Sequence, residues 1–201
     1  TGSNNVSAGY YSFRENTTGG SNVAIGKEAL RNNTTASNNC AIGSAAMRSN
    51  TEGFSNTAAG DHAMQKNTTG DYNTAVGYLA LEENTTGNRN TACGTWSLSE
   101  NTTGQYNTAV GGWALQNATT PDSNVAVGYN SLATLQTGSN NTCVGTWSGD
   151  AMTTGADNTG VGEKALTTCT TGNNNTAIGR QSLNNLTTGS NNTCVGMYSG
   201  L

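Results

Sequence analysis

Charged side chains are scarce in this 201-residue sequence: Asp, Glu, Lys and Arg make up 10% of it, and only eight residues are Lys or Arg. With a net charge of −4 there is no basic face to neutralise phosphates, so nucleic acid is not an expected partner. Long apolar runs are missing as well. Nothing approaches the roughly 20 consecutive apolar residues of a membrane-spanning helix, so membrane insertion by this segment is not expected. One histidine and one proline occur, and only 33% of residues are apolar. In random order, such a Gly-, Asn- and Thr-rich mixture would suit a disordered tract. Low charge and fixed spacing of the apolar residues argue for a fold instead.

The spacing is 17 residues. A glycine returns at that interval twelve times, including Gly77 and Gly111, and four residues before each stands an asparagine, such as Asn73 and Asn107. Counted from Thr1, the unit reads T-G-x-x-N-T-A-V-G-x-x-A-L-x-x-N-T, with no insertion. A unit this short cannot bury a core of its own, so neighbouring units must stack. Positions 6 to 8 alternate in the manner of a strand, as in Thr74-Ala75-Val76, while the following Gly and the Thr-Gly pair read as corners. The expected fold is therefore all-β: a β-solenoid, a parallel β-roll with one coil per repeat, occupying residues 1–201 as one segment. A strand-plus-helix coil is the structural alternative, but it needs a longer unit and more than one Leu per copy. Because the chain opens and stops inside the pattern, at Thr1 and Leu201, it is expected to be part of a longer fibre.

The segment Asn-Thr-Ala-Val-Gly at residues 73–77 resembles the S-V-A-I-G signature of head repeats in YadA-like trimeric autotransporter adhesins. It is also similar to the N-T-A-x-G-x-x-A-L repeats of many phage tail fibres. The resemblance extends over every copy. The sequence departs from the adhesin pattern in carrying Thr for Val at position 6 in eight of twelve copies and in its strict repeat length. The resemblance implies a left-handed roll associated as a homotrimer. It also implies a structural and adhesive role outside the cell or on a virion, with attachment to a host-surface glycan or protein receptor.

Several columns of the repeat bear on partners. The small residue at position 7, usually Ala as at Ala75 and Ala92, suggests close approach of another backbone, with a partner chain preferred over the roll's own second sheet. Position 16 is Asn through Asn101 and then becomes Ala118, Leu135, Met152, Cys169 and Leu186. That change implies that this face becomes covered from about residue 118, beside Pro121, and equal exposure in both halves would refute the idea. All three tryptophans, Trp96, Trp113 and Trp147, share position 11 with Tyr198. Aromatic rings with polar neighbours suit receptor or glycan contact, but packing against the next coil or a neighbouring protomer is the preferred reading of the column.

The remaining chemistry is sparse. Five cysteines lack a C-x-x-C or Cys–His arrangement, so neither a metal site nor a cofactor is expected, and only Cys143 and Cys169 fall close enough to consider a bridge. His62 and acids such as Glu82 and Glu100 occupy variable surface positions. No nucleophile, base and oxyanion donor are assembled, so an enzyme is not expected. Sequons at Asn16, Asn33, Asn67, Asn84 and Asn101 would carry a glycan stripe in a secretory pathway. A monomeric ligand-binding or ice-binding solenoid is the alternative function. Against ice binding, the adjacent pair Thr17-Thr18 would point to opposite sides of an extended chain.

Overall fold

In most repeats, β-branched side chains at positions 6 and 8 flank a small residue at 7, which favours a short extended segment. A computed structural model of the chain describes residues 2–200. Among these run three-residue strands at positions 6 to 8, from β1 (Val6–Ala8) to β12 (Thr193–Val195). They form one twelve-stranded parallel sheet whose spatial order is the sequence order. Between the strands Thr74–Val76 and Thr91–Cys93, Thr74 faces Thr91, Ala75 faces Ala92 and Val76 faces Cys93. One repeat is thus one coil of a parallel β-solenoid, and steps of about 4.8 Å carry it over roughly 50 Å. No helix occurs among the described residues, which rules out the strand-plus-helix coil there. Thr1 and Leu201 lie outside the described residues.

The two glycine columns have different causes, and only that of position 9 is invariant, since position 2 also holds Ala36 and Pro121. At Gly77 φ is 138°, and a Cβ would lie 2.5 Å from the carbonyl oxygen of Gly94 in the next coil. Gly70, at position 2, needs only the close approach: a Cβ there would lie 2.4 Å from Asn67 Oδ1 and 2.5 Å from the Gly87 carbonyl. Pro121 sits in this second column without breaking the coil, since its carbonyl still accepts the Asn107 amide at 2.7 Å.

From position 9 the chain returns through turns, such as Ala80 N–H to the Gly77 carbonyl at 3.4 Å. Non-glycine residues with left-handed backbones recur at positions 4, 11 and 13; Tyr72, Leu79 and Leu81 have φ of 57°, 56° and 54°. The alternation aims N–H groups at both neighbouring coils. Leu79 donates back to Asp61 at 3.1 Å and Leu81 forward to Ser97 at 3.0 Å.

The interior is narrow. Leu81, Leu98 and Leu115 of position 13 pack with Ala75, Ala92 and Ala109 of position 7, all fully buried within the single chain. The position 7 column therefore faces the chain's own core, and the partner-chain reading of it is incorrect. A cross-section holding one Leu per coil leaves room for only a methyl group opposite.

The covered-face reading of position 16 is also overturned. Asn67 and Leu135 are both 0% exposed, so the column is internal before and after residue 118. What changes is the interior chemistry. In the first half each amide joins a ladder: Asn67 Nδ2 donates to Asn50 Oδ1 at 2.7 Å and to the Gly70 carbonyl at 3.0 Å. In the second half, Leu135 and Met152 supply apolar volume instead, while position 13 stays Leu at Leu132, Leu166 and Leu183. At Gly149 the space is taken by Cys143 and Leu132, each 2.8 Å from where a Cβ would lie. A second amide ladder runs unbroken at position 5, where Asn90 N–H donates to Asn73 Oδ1 at 2.9 Å and Asn90 Nδ2 to the Gly104 carbonyl at 2.8 Å.

Burial also bears on the sequons. Asn33, Asn67, Asn84 and Asn101 are buried, and their amide nitrogens are engaged in the ladder. A glycan on these nitrogens has no room in the folded coil. The Thr of position 17 has a structural role too, its hydroxyl capping the backbone one coil on, as from Thr85 to the Thr102 carbonyl at 2.9 Å.

Candidate functional site

The position 11 side chains are set in register by the backbone beneath them. Trp96 N–H donates to the Tyr78 carbonyl at 3.0 Å, Trp113 to Thr95 at 3.0 Å and Trp147 to Tyr129 at 2.9 Å. Trp96 and Trp113 occupy adjacent coils, Asn130 follows, and Trp147 comes next. Tyrosines of position 10 brace them. Tyr78 meets Trp96 edge-on at 6.0 Å, while Tyr129 lies 5.3 Å from Trp113 and 6.0 Å from Trp147. Packing and availability thus coexist in one column: each indole rests on a tyrosine, yet Trp113 remains 37% exposed.

Across from the indoles stand the side chains of positions 14 and 15. Together they enclose an open cleft of about 630 Å³, lined by Trp96, Trp113, Gln116, Asn117, Asn130, Ala133, Thr134 and Asp150. A smaller recess of about 250 Å³ adjoins it, lined by Trp147, Asp150, Lys164 and Thr167. Asp150 borders both. Burial pushes its carboxyl above the usual carboxylate range, because a low-dielectric surrounding disfavours the anion. Lys164 lies over the Trp147 ring at 5.2 Å, a cation–π contact.

The four aromatic residues singled out by sequence are thus divided. Trp96 and Trp113 share the cleft and Trp147 lines the recess beside it. Tyr198 stands three coils beyond Trp147, paired with Arg180, whose Nη1 donates to the Tyr198 hydroxyl at 2.8 Å. The polar wall was missed in the sequence, since Gln116, Asn117, Thr134 and Asp150 are unlike one another and show no column signature. A second aromatic group was missed at position 4. Arg89 lies between Tyr72 and Tyr106, 5.6 and 5.4 Å from their rings. Their 17-residue separation was the available signal.

The other candidates are dispersed. His62 Nδ1 lies 2.8 Å from Asp61 Oδ1 at the surface. Lys66 spans to Glu83 of the next coil at 2.5 Å. All five cysteines are free, so Cys143 and Cys169 are not bridged; burial pushes the Cys143 thiol up to about 12. Among the described residues no group of three or more His, Cys, Asp or Glu side chains comes together as a metal site, and no helix is long and apolar enough to cross a membrane. The chain matches no family model, no curated protein and no solved structure.

Proposed function

We propose that this chain is a structural and adhesive segment of an extracellular fibre, a bacterial trimeric adhesin or a phage tail fibre, in which three copies associate and attach to a host or other surface. The observation that supports this reading most is the outer face of the sheet. Position 8 forms an in-register rank that is Val or Ile in nine of the twelve coils, interrupted by Ala8, Ala59 and Cys93, with Ile42 44% and Val76 41% exposed. In a chain so poor in apolar residues, a continuous exposed apolar stripe calls for a covering partner. An in-register rank suits copies of the same chain aligned side by side about an axis parallel to the rod. Repeated coils would then present the aromatic corner three times over, turning weak contacts into avidity.

Sedimentation equilibrium tests the assembly. The expected mass is three times the 20.5 kDa of the chain, and a monomer at micromolar concentration would sink the trimer. The same face favours a second reading. Thr74 and Val76 point outward together, and position 6 carries Thr through most of the rod. Two flat ranks of hydroxyl- and methyl-bearing side chains suit a monomeric ice-binding surface. Thermal hysteresis from a monomeric sample would select that reading over the fibre.

A further inference from the structure

We infer that the cleft across coils six to nine binds an uncharged oligosaccharide laid along the rod. The inference rests on the adhesive reading above and names its ligand class. The two walls are chemically distinct. Trp113, 37% exposed, and the half-buried Trp96 line one side, and an indole face packs well against the C–H-bearing face of a pyranose. Gln116, Asn117 and Thr134 supply neutral groups on the other side. Amides and a hydroxyl both donate and accept, as sugar hydroxyls require.

Charge narrows the class. Asp150 is the one charged residue in the lining of the larger cleft, in a chain of net charge −4, and the nearest lysine, Lys164, belongs to the recess beyond it, over Trp147. A carboxylate accepts strongly from a sugar hydroxyl but repels a uronate, sialate or sulfate. Peptides are disfavoured for another reason. The backbone of this wall is already paired coil to coil, as in Asn130 N–H to the Gly112 carbonyl at 3.1 Å, so no strand edge is free to receive a peptide backbone.

Shape gives the lengthwise orientation. Position 11 runs Trp113, Asn130, Trp147, so a small amide separates two indoles standing two coil steps, about 10 Å, apart. Around this notch, Trp113 and Asn130 border the volume of about 630 Å³ and Trp147 the recess of about 250 Å³ beside it; the larger is within the range of small-ligand sites.

The test is calorimetric titration of the full chain with cellotetraose, maltotetraose, tetra-N-acetylchitotetraose, tetragalacturonate and a proline-rich peptide. At least one neutral tetrasaccharide is expected to bind saturably, with the galacturonate weaker by at least about ten-fold. Asn130→Trp fills the notch and should fold normally, since φ is 54° at Asn130 and 58° and 55° at Trp113 and Trp147. It should weaken sugar binding by about ten-fold or more at an unchanged melting temperature. The inference is overturned if no neutral sugar binds, if the galacturonate or the peptide binds in its place, or if Asn130→Trp leaves sugar affinity intact. A parallel cell-attachment assay separates the two readings. Equal attachment by wild type and Asn130→Trp would overturn the cleft and keep the adhesive role, whereas no attachment by wild type would remove the adhesive role itself.

Discussion

Gly77 illustrates how little tolerance a stacked coil leaves at a corner. Its φ of 138° and the 2.5 Å approach of the Gly94 carbonyl to a Cβ act together; the positive φ recurs at all twelve glycines of the column and the close carbonyl at every one but Gly196, in the last coil. Gly77→Ala is expected to cost about 3 kcal/mol or more, read as a lowered denaturation midpoint. The amide ladder at position 16 makes the opposite kind of prediction. Asn101 is its last member, donating to Asn84 Oδ1 at 2.8 Å, while its own Oδ1 is buried without a partner. Ala118→Asn would place a donor one coil on, where every earlier ladder member finds one. A gain of about 1 kcal/mol is expected, and a loss of stability would show that the pocket cannot accommodate the amide. Sequence alone displayed the Asn-to-apolar switch but attached it to the wrong surface. A buried amide ladder and a buried apolar column leave different residues in the same internal place, so the change of residue type carries no sign of exposure.

At the scale of the coil, the strand and its two flanking columns were legible because their causes are local. Alternating β-branching marks the strand, Gly marks the backbone without room for a Cβ, and Asn marks the amide that satisfies buried backbone groups. The return path was not legible. Leu81 and Leu98 adopt left-handed backbones that their own preference opposes, and they do so because inter-coil hydrogen bonds and burial over-determine the conformation. The partly buried acids of this path give a pH signature. Burial raises both Asp150 and Glu82, the latter also through Glu83. Between the ordinary and folded values, the native chain then binds more protons than the unfolded chain. Their contribution to stability is therefore full below the ordinary carboxylate value of about 4 and is lost as pH rises through the folded values. Melting curves taken from about pH 4 upward should show a smaller decline for Asp150→Asn with Glu82→Gln than for wild type. Parallel curves for the two proteins would contradict this assignment.

For the whole rod, the decisive surface is the rank of Val and Ile at position 8. Val76→Glu with Val110→Glu places two like charges on this exposed face, 34 residues and two coils apart. Because neither side chain contributes to the interior, the coil should keep its fold, while the proposed trimer, if packed on this face, should dissociate to chain-mass species in sedimentation. Retention of the trimeric mass would place the contact on another face. Sequence determined the period, the parallel in-register stacking and the position of every strand, because these follow from spacing along the chain and from needs that each coil repeats. Only the tertiary structure decided which columns face inward, that position 7 lines the chain's own core, and that Trp96 and Trp113 share a cleft with Asp150. Those facts depend on how each coil closes through left-handed residues at positions 4, 11 and 13, and closure is imposed by contacts with neighbouring coils that periodicity along one chain does not encode.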